Sequence, residues 1–429
     1  MKSTIHEHQK NNRKIVSKFF LILLAITTLI FSCSKDDPNA PYVPPVIPVV
    51  VDPQPVSNVI VGGMAEPIAQ TPGNFIGPRP IIWKNGIGTY VTAANAPEGH
   101  KAVAFKEYNG ATYFAGEMYV NGITKPMLIA ASTVFTLSNN GKFATVKSLH
   151  TTGGGLVYTA GYSTDDTANE NYIATVWKSF GASGSKEQYP GINNAQTKAF
   201  GVDVVGNDLY VAGTWQATLE KERAVVWING LRKFLTNSNS NRSVASAVEV
   251  TGSTVYVTGY EEINGFANAR LWKCSLTGAN LEQVELETNV FGSTVPVPGI
   301  YVEGNYGLSV YNTGSITYVY GNNSKDVNAN AGRCWKIDSN NTVTVQKIYG
   351  DNTAPQTDIN NSVITLVRNG FLDTNVSSSG GVINEFVSGN TYGSSNGVAF
   401  TTPCYWKNGT KYVVETTRTN NGYALGTSH

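Results

Sequence analysis

The side chains that run most enzymatic chemistry are sparse in this sequence. It holds five histidines and four cysteines among 429 residues. Past residue 33 the histidines are His100, His150 and His429, far apart and without the spacing of a metal-ligand set. Each reads as a surface or turn residue rather than a ligand. No Gly-x-Ser-x-Gly elbow occurs, and no Ser-x-Asp-x-Gly-x-Thr-Trp box. The nearest text to that box, Ser163-Thr164-Asp165-Asp166, lacks its Gly and Trp. Gly153-Gly154-Gly155 does not open a helix, so it makes no phosphate cradle. Asp165, Asp166, Glu170 and Asp326 are oxygen donors of the kind Ca2+ takes, but solvated loop acids account for them more simply. Cys274 follows Trp272 by two, Cys334 precedes Trp335 by one and Cys404 precedes Trp406 by two. Alternation along a strand turns Cys334 away from the other two relative to its Trp. The three read as buried small hydrophobes, with no disulfide framework. No catalytic residue, cofactor site or metal site is expected from these patterns. One enzymatic alternative stays open, polysaccharide breakdown by two loop carboxylates, which requires carboxyls about 5 to 9.5 Å apart.

Recognition is then the leading function, and it needs a scaffold to hold its contacts. Charged residues are 14% of the chain, against about 25% in an average globular protein. With Gly at 43 residues and aromatics at 10%, the composition excludes a helical bundle or coiled coil. Hydrophobic content of 41% excludes disorder. A formal net charge of +1 gives no electrostatic footprint for nucleic acid.

A short β phrase ending in Gly recurs: Tyr113-Phe114-Ala115-Gly116, Tyr158-Thr159-Ala160-Gly161, Tyr210-Val211-Ala212-Gly213, Tyr256-Val257-Thr258-Gly259 and Tyr318-Val319-Tyr320-Gly321. Ile60-Val61-Gly62-Gly63 is an N-terminal version and Phe371-Leu372-Asp373-Thr374 a degenerate one. A second phrase centres on Trp83, Trp177, Trp227, Trp272, Trp335 and Trp406, with Ile129 in the Trp position of one unit. These anchors stand 46, 48, 50, 45, 63 and 71 residues apart. Each unit reads as four short strands: A, rich in small residues; B, the Tyr…Gly phrase; C, carrying Trp; and D, after an Asn-Gly turn. Four strands at this period make a propeller blade, and seven anchors imply seven blades. Asn421-Gly422-Tyr423-Ala424-Leu425-Gly426 reads as a strand A with no strand B after it, while Ile60 opens a lone strand B. Together they complete one blade. The expected fold is therefore all-β, a seven-bladed β-propeller of four-stranded antiparallel blades, closed by its N- and C-terminal strands. Closure removes open sheet edges.

In such a ring the A–B and C–D turns share one face and the B–C and D–A connections share the other. The A–B turns are short, at Asn109-Gly110, Gly206-Asn207, Thr251-Gly252 and Asn369-Gly370. The B–C connections are long, over 64–79, 162–172, 260–267, 322–331 and 375–401. Long loops gathered on one face of a rigid scaffold make a binding surface. Candidate contacts at its edge are Glu117, Tyr162, Trp215, Tyr260 and Glu261; packing between blades is the other reading of these aromatics.

The repeat resembles kelch-like propellers in strand order and in the Gly that ends strand B. It departs from them in lacking the second Gly in most units and in the placing of its Trp. It is more similar to the Val-Tyr-Val-Ala-Gly-Tyr…Trp-Lys-Asn-Gly repeats of bacterial surface lipoproteins, over about residues 57–429. The resemblance implies the fold and says little about activity.

The N-terminus reads as an address. Lys10, Arg13, Lys14 and Lys18 precede an apolar run from Phe19 to Phe31, followed by Ser32 and Cys33. A basic segment, a short apolar segment and a small residue describe a secretory signal. The run is shorter than the ~20 residues of a membrane span. Leu29-Ile30-Phe31-Ser32-Cys33 resembles a bacterial lipoprotein signal, which implies cleavage before Cys33 and acylation of it. Ser34-Lys35-Asp36-Asp37 resembles the export tag of surface-exposed lipoproteins in some Gram-negative bacteria. Removing residues 1–32 takes away five basic residues and one acid, leaving 26 Lys+Arg against 29 Asp+Glu, a net charge of −3. With no polybasic patch, the acyl chains must hold the protein to lipid. Seven prolines over 38–56 form an extended spacer, on the order of 60 Å fully stretched. The expected organisation is a signal over 1–32, lipidated Cys33 with a Pro-rich tether over 33–56, and the propeller over 57–429. The expected protein is a lipid-anchored, cell-surface module of the outer membrane that captures a glycan or docks beside a protein partner.

Overall fold

The computed structural model describes residues 59–67, 79–91, 100–120, 123–131, 133–138, 143–164, 171–180, 183–236, 241–286, 304–324, 330–347, 377–379, 382–384, 386–395, 398–407, 410–414 and 419–428. The signal, Cys33 and the tether lie outside them, as do Asp165, Asp166, Glu170, Asp326 and His429.

The described chain is built almost wholly of antiparallel strands in seven blade-like sheets. The first sheet is made of Thr419–Ser428, Ile60–Pro67, Arg79–Lys84 and Ile87–Tyr90 in that order, so the two ends of the chain pair. Gly62 lies opposite Gly426, and Gly63 opposite Ala424, as the closure scheme requires. The second is His100–Tyr108, Ala111–Val120, Ile123–Ala130 and Thr133–Thr136; the third is Ala144–Thr152, Leu156–Thr164, Tyr172–Phe180 and Ser183–Tyr189. The fourth is Gln196–Val205, Asp208–Gln216, Arg223–Ile228 and Leu231–Phe234; the fifth is Ser243–Thr251, Thr254–Ile263, Phe266–Ser275 and Glu282–Glu285. The sixth is Gly304–Asn312, Thr317–Ser324, Asn330–Ile337 and Val343–Lys347, joined to the fifth by one parallel bridge between Ala267 and Gly304. Among the described residues the seventh has three strands, Phe386–Ser395, Val398–Lys407 and Thr410–Val413. We letter the strands A to D in that order within each sheet, the seventh holding B, C and D.

Seven clusters of buried apolar side chains sit at the junctions between successive sheets, and each contains one anchor of the repeat. Ile129 lies between the first and second sheets, Trp177 between the second and third, and Trp227 between the third and fourth. Trp272 lies between the fourth and fifth, Trp335 between the fifth and sixth, Trp406 between the sixth and seventh, and Trp83 between the seventh and first. Every anchor faces the preceding blade, so each junction is filled by one large side chain. This is why the anchor recurs at the blade period.

The Gly that ends the repeat phrase has an equally direct cause. Strand A carries a β-bulge opposite that Gly in blade after blade: between Ala102 and Ala104, Val146 and Ser148, Ala199 and Gly201, and Ala245 and Ala247. The bulge swings a strand-A carbonyl beneath strand B. A Cβ at Gly116 would stand 2.0 Å from the Lys101 carbonyl oxygen, and one at Gly161, Gly213 or Gly259 would stand 1.9 Å from that of Thr145, Lys198 or Val244. No side chain fits there.

Three expectations are corrected. The B strand of the seventh sheet contains Phe386-Val387-Ser388-Gly389, with Val387 opposite Trp406; the phrase at 371–374 lies outside the described residues. The supposed long connection over 260–267 is a two-residue Asn264-Gly265 hairpin with φ of 54° and 82°, because the alternation of Thr254–Ile263 keeps pairing past Gly259. His100 and His150 are neither surface nor turn: His100 is buried at the start of strand A of the second sheet, and His150 sits within strand A of the third and pairs with an acid. The other predicted A–B turns among the described residues stand, with positive φ at Asn109, Gly110, Gly206 and Gly252.

The three remaining thiols are buried, as expected. Cys274 packs with Trp272 toward the fourth sheet, while Cys334 and Cys404 meet in the cluster between the sixth and seventh.

Candidate functional site

Strand B continues three to four residues past its Gly in the second to fifth sheets. Glu117, Tyr162, Trp215, Tyr260 and Glu261 therefore all stand on strand ends rather than in loops, on the face that carries the B–C and D–A connections. A strand end holds its side chains in fixed register.

The structure gathers these five unequally. Tyr162 is the centre of an aromatic group with its ring 5.1 Å from Tyr172, 6.1 Å from Phe143 and 6.4 Å from Phe200. Lys147 lies over the Tyr162 ring at 5.5 Å and Lys198 over Tyr172 at 5.4 Å. Lys147 and Phe200 are the bulged residues of their A strands, and both side chains meet the Tyr162 ring. Lys198 then bonds Glu222 at 2.9 Å; Arg242 bonds Glu222 at 2.8 Å and Glu262 at 2.7 Å, and lies 5.6 Å over the Tyr260 ring. Glu117 pairs with Lys101 at 3.7 Å on the other flank. The result is one chain of rings and charges across four blades, from Lys101 to Tyr260.

Two of the five lie apart from this chain. Trp215 packs between the third and fourth sheets, edge-on to Phe234 at 5.4 Å, with Arg232 at 4.9 Å from its ring. For Trp215 the packing alternative holds. Glu261 turns toward Arg270, at 3.4 Å, and Asn241, at 3.3 Å.

Burial controls the protonation of the site. It pushes the Tyr162 hydroxyl up to about 12, with help from Tyr172, Glu117 and Glu222, and Tyr260 likewise up to about 12. Both are hydrogen-bond donors at neutral pH. Burial alone raises the Glu222 carboxyl, but its bonds to Lys198 and Arg242 outweigh this and hold it below the ordinary value. Burial depresses Lys147, opposed by Glu117 and assisted by Lys101 and Lys198.

A second titratable set lies toward the A–B turns, where Lys106, His150, Asp203, Glu249 and Tyr311 occupy the same strand-A position in five successive blades, each opposite the Tyr of its repeat phrase. His150 Nδ1 donates to Asp203 Oδ1 at 2.9 Å. Asp203 Oδ2 accepts the Val250 N–H of the next blade at 2.7 Å, and Glu249 accepts the Asn312 N–H of the blade after that. These acids staple blade to blade. Among the described residues no group of three or more His, Cys, Asp or Glu could hold a metal ion.

No protein-family model matches the sequence, and no curated protein matches it. Among solved structures, it is similar to an ulvan lyase reported as a new polysaccharide-lyase family, at 10% identity and TM-score 0.45, over 86% of this chain and 96% of that one. It is also similar to a Dyadobacter fermentans protein of unknown function, at 9% identity and TM-score 0.42, over 66% and 95%. A third is a TolB-like protein of Agrobacterium tumefaciens, at 10% and 0.38, over 62% and 84%. Similarities of this size transfer no residue role to this chain.

Sequence reasoning missed Lys147, Phe200, Lys198, Glu222 and Arg242. Lys147, Lys198 and Phe200 lie in the strand-A half of the repeat, where small residues conceal the bulge, while Glu222 and Arg242 lie in connections outside the repeat phrases.

Proposed function

We propose that this protein is a binding module, displayed at the cell surface by acyl chains on Cys33, whose ligand face is the strand-B end of the second to fifth blades. The observation that carries the proposal is the continuous group Phe143, Lys147, Tyr162, Tyr172, Lys198, Glu222, Arg242 and Tyr260, mounted across neighbouring blades. Half-buried rings with fixed donors beside them suit a glycan or the polar edge of a protein partner. The anchor rests on Leu29-Ile30-Phe31-Ser32-Cys33 and the surface address on Lys35-Asp36-Asp37.

The hydrolase alternative finds less support. Glu222 and Glu262 do converge, but on the Arg242 guanidinium between them. Such pairing favours the charged carboxylate, whereas a general acid must keep its proton.

Detergent-solubilised full-length protein should capture a glycan or an outer-membrane partner, and a Tyr162→Ala/Tyr260→Ala variant of unchanged melting should lose it. Capture that survives the double substitution, or no capture at all, overturns the loop-face assignment. Proteinase added to whole cells should degrade the protein; full protection reverses the surface assignment.

A further inference from the structure

Resting on the loop-face reading, we infer that this site takes an acidic saccharide, with the Lys147 ammonium meeting the sugar's anionic group and the Tyr162–Tyr172 rings packing against its apolar face.

Every other basic group of the site is matched. Lys101 is paired with Glu117, Lys198 with Glu222, and Arg242 with Glu222 and Glu262. Lys147 is the one left over: among the described residues its only close partner is the face of Tyr162. An ammonium drawn out of water without a carboxylate bonded to it is costly, and a ligand anion lowers that cost. Glu117, already paired with Lys101, attracts this ammonium without bonding it, while Lys101 and Lys198 repel it. Of the four basic groups from Lys101 to Arg242, Lys147 alone has no carboxylate bonded to it among the described residues.

The rings beside Lys147 define the rest of the ligand. Tyr162 and Tyr172 meet edge to face at 72°, with Phe143 and Phe200 behind the same Tyr162 ring. All four are partly buried, so each offers part of a ring rather than a share of a broad apolar plain. The large apolar side chains exposed on this face among the described residues are Tyr119, Ile192 and Leu219, one from each of three separate segments. A protein interface wants a contiguous apolar centre. A sugar ring carrying one anionic substituent suits the exposed parts of the rings, the charge and the two phenol donors together.

Calorimetric titration of the detergent-solubilised full chain decides the matter, with short oligogalacturonates as the acidic probe and their carboxyl-reduced forms as the neutral one. The acidic probe should bind more tightly than the neutral one, and the preference should shrink with added salt. Lys147→Met should weaken acidic binding about tenfold to a hundredfold, and Lys147→Arg should retain most of it. Equal binding of both probes by wild type overturns the inference while leaving the loop face as a glycan site. Binding of neither overturns it too, and the loop face then stands or falls by the partner capture described above. A glutamate-rich peptide that binds through Lys147 in place of the saccharide would likewise overturn the ligand class. Should Lys147→Met fail to fold, the contrast between the two probes on wild-type protein still decides.

Discussion

Gly213 shows how a single residue serves both fold and site. Its missing Cβ makes room for the Lys198 carbonyl, and Phe200, the bulged residue of that strand, meets the Tyr162 ring. Gly213→Ala should cost about 2–4 kcal/mol in denaturant unfolding, because backbone rather than a flexible side chain must move. A shift within error would remove the bulge as the cause of the repeat Gly. Glu249 makes a different prediction. Burial raises its carboxyl to about 8, with the Asp203 charge adding to the effect, while the bond from Asn312 and the Thr251 hydroxyl oppose it. The unfolded chain releases this proton near the ordinary value of 4.5, and the folded chain holds it to about 8. Between those values the folded state binds more protons, so stability falls as pH rises. The contribution is complete below the lower value and gone above the upper. Glu249→Gln should leave melting almost unchanged near pH 4 and raise it progressively through neutral pH to about pH 9. Parallel melting curves across that range would sink the assignment.

Blades are held by their junctions. Trp272 is fully buried in the cluster between the fourth and fifth sheets, with its Nε1 donating to Gln283 at 3.2 Å. Trp272→Ala should cost about 3–5 kcal/mol by calorimetry or denaturant titration, since it empties most of one junction. A cost below about 1 kcal/mol would mean that neighbouring side chains collapse into the gap. At this scale most of the sequence reading survives, because Trp and Tyr…Gly mark strands C and B by a physical necessity that repeats. The reading slipped where the necessity is weaker. Strand B of the seventh blade has Phe386-Val387-Ser388-Gly389 where Tyr is the rule, and an apolar run at 371–374 took its place. Polar strand ends such as Tyr260–Ile263 were taken for loop, because pairing with Phe266–Ala269 supports them where composition does not.

Closure belongs to the whole molecule. The strand Thr419–Ser428 pairs with Ile60–Pro67, and Ala424 and Leu425 fill the junctions on either side of that sheet. Deleting residues 421–429 removes eight of the ten residues of that strand and exposes an unpaired edge along Ile60–Pro67. The truncated chain should lose its cooperative melt and aggregate; an unchanged transition would refute closure by the two ends. The site depends on the same ring, because its residues come from four blades that touch one another only through their junctions.

The sequence alone determined the all-β class, the blade period and the pairing of the strand at Ile60 with the strand around Ala424. Each is written in residues that repeat because one steric demand repeats: a large side chain at every junction and no Cβ at every bulge. Tertiary structure decided which members of the loop face act together. Lys147, Lys198, Glu222 and Arg242 lie in three blades and share no sequence pattern, so their pairing depends on distances set only once the ring has closed. It also separated Trp215, which packs inward between sheets, from Tyr162, which packs beneath a lysine. Strand alternation alone cannot tell two such aromatics apart, since both occupy a strand-B end.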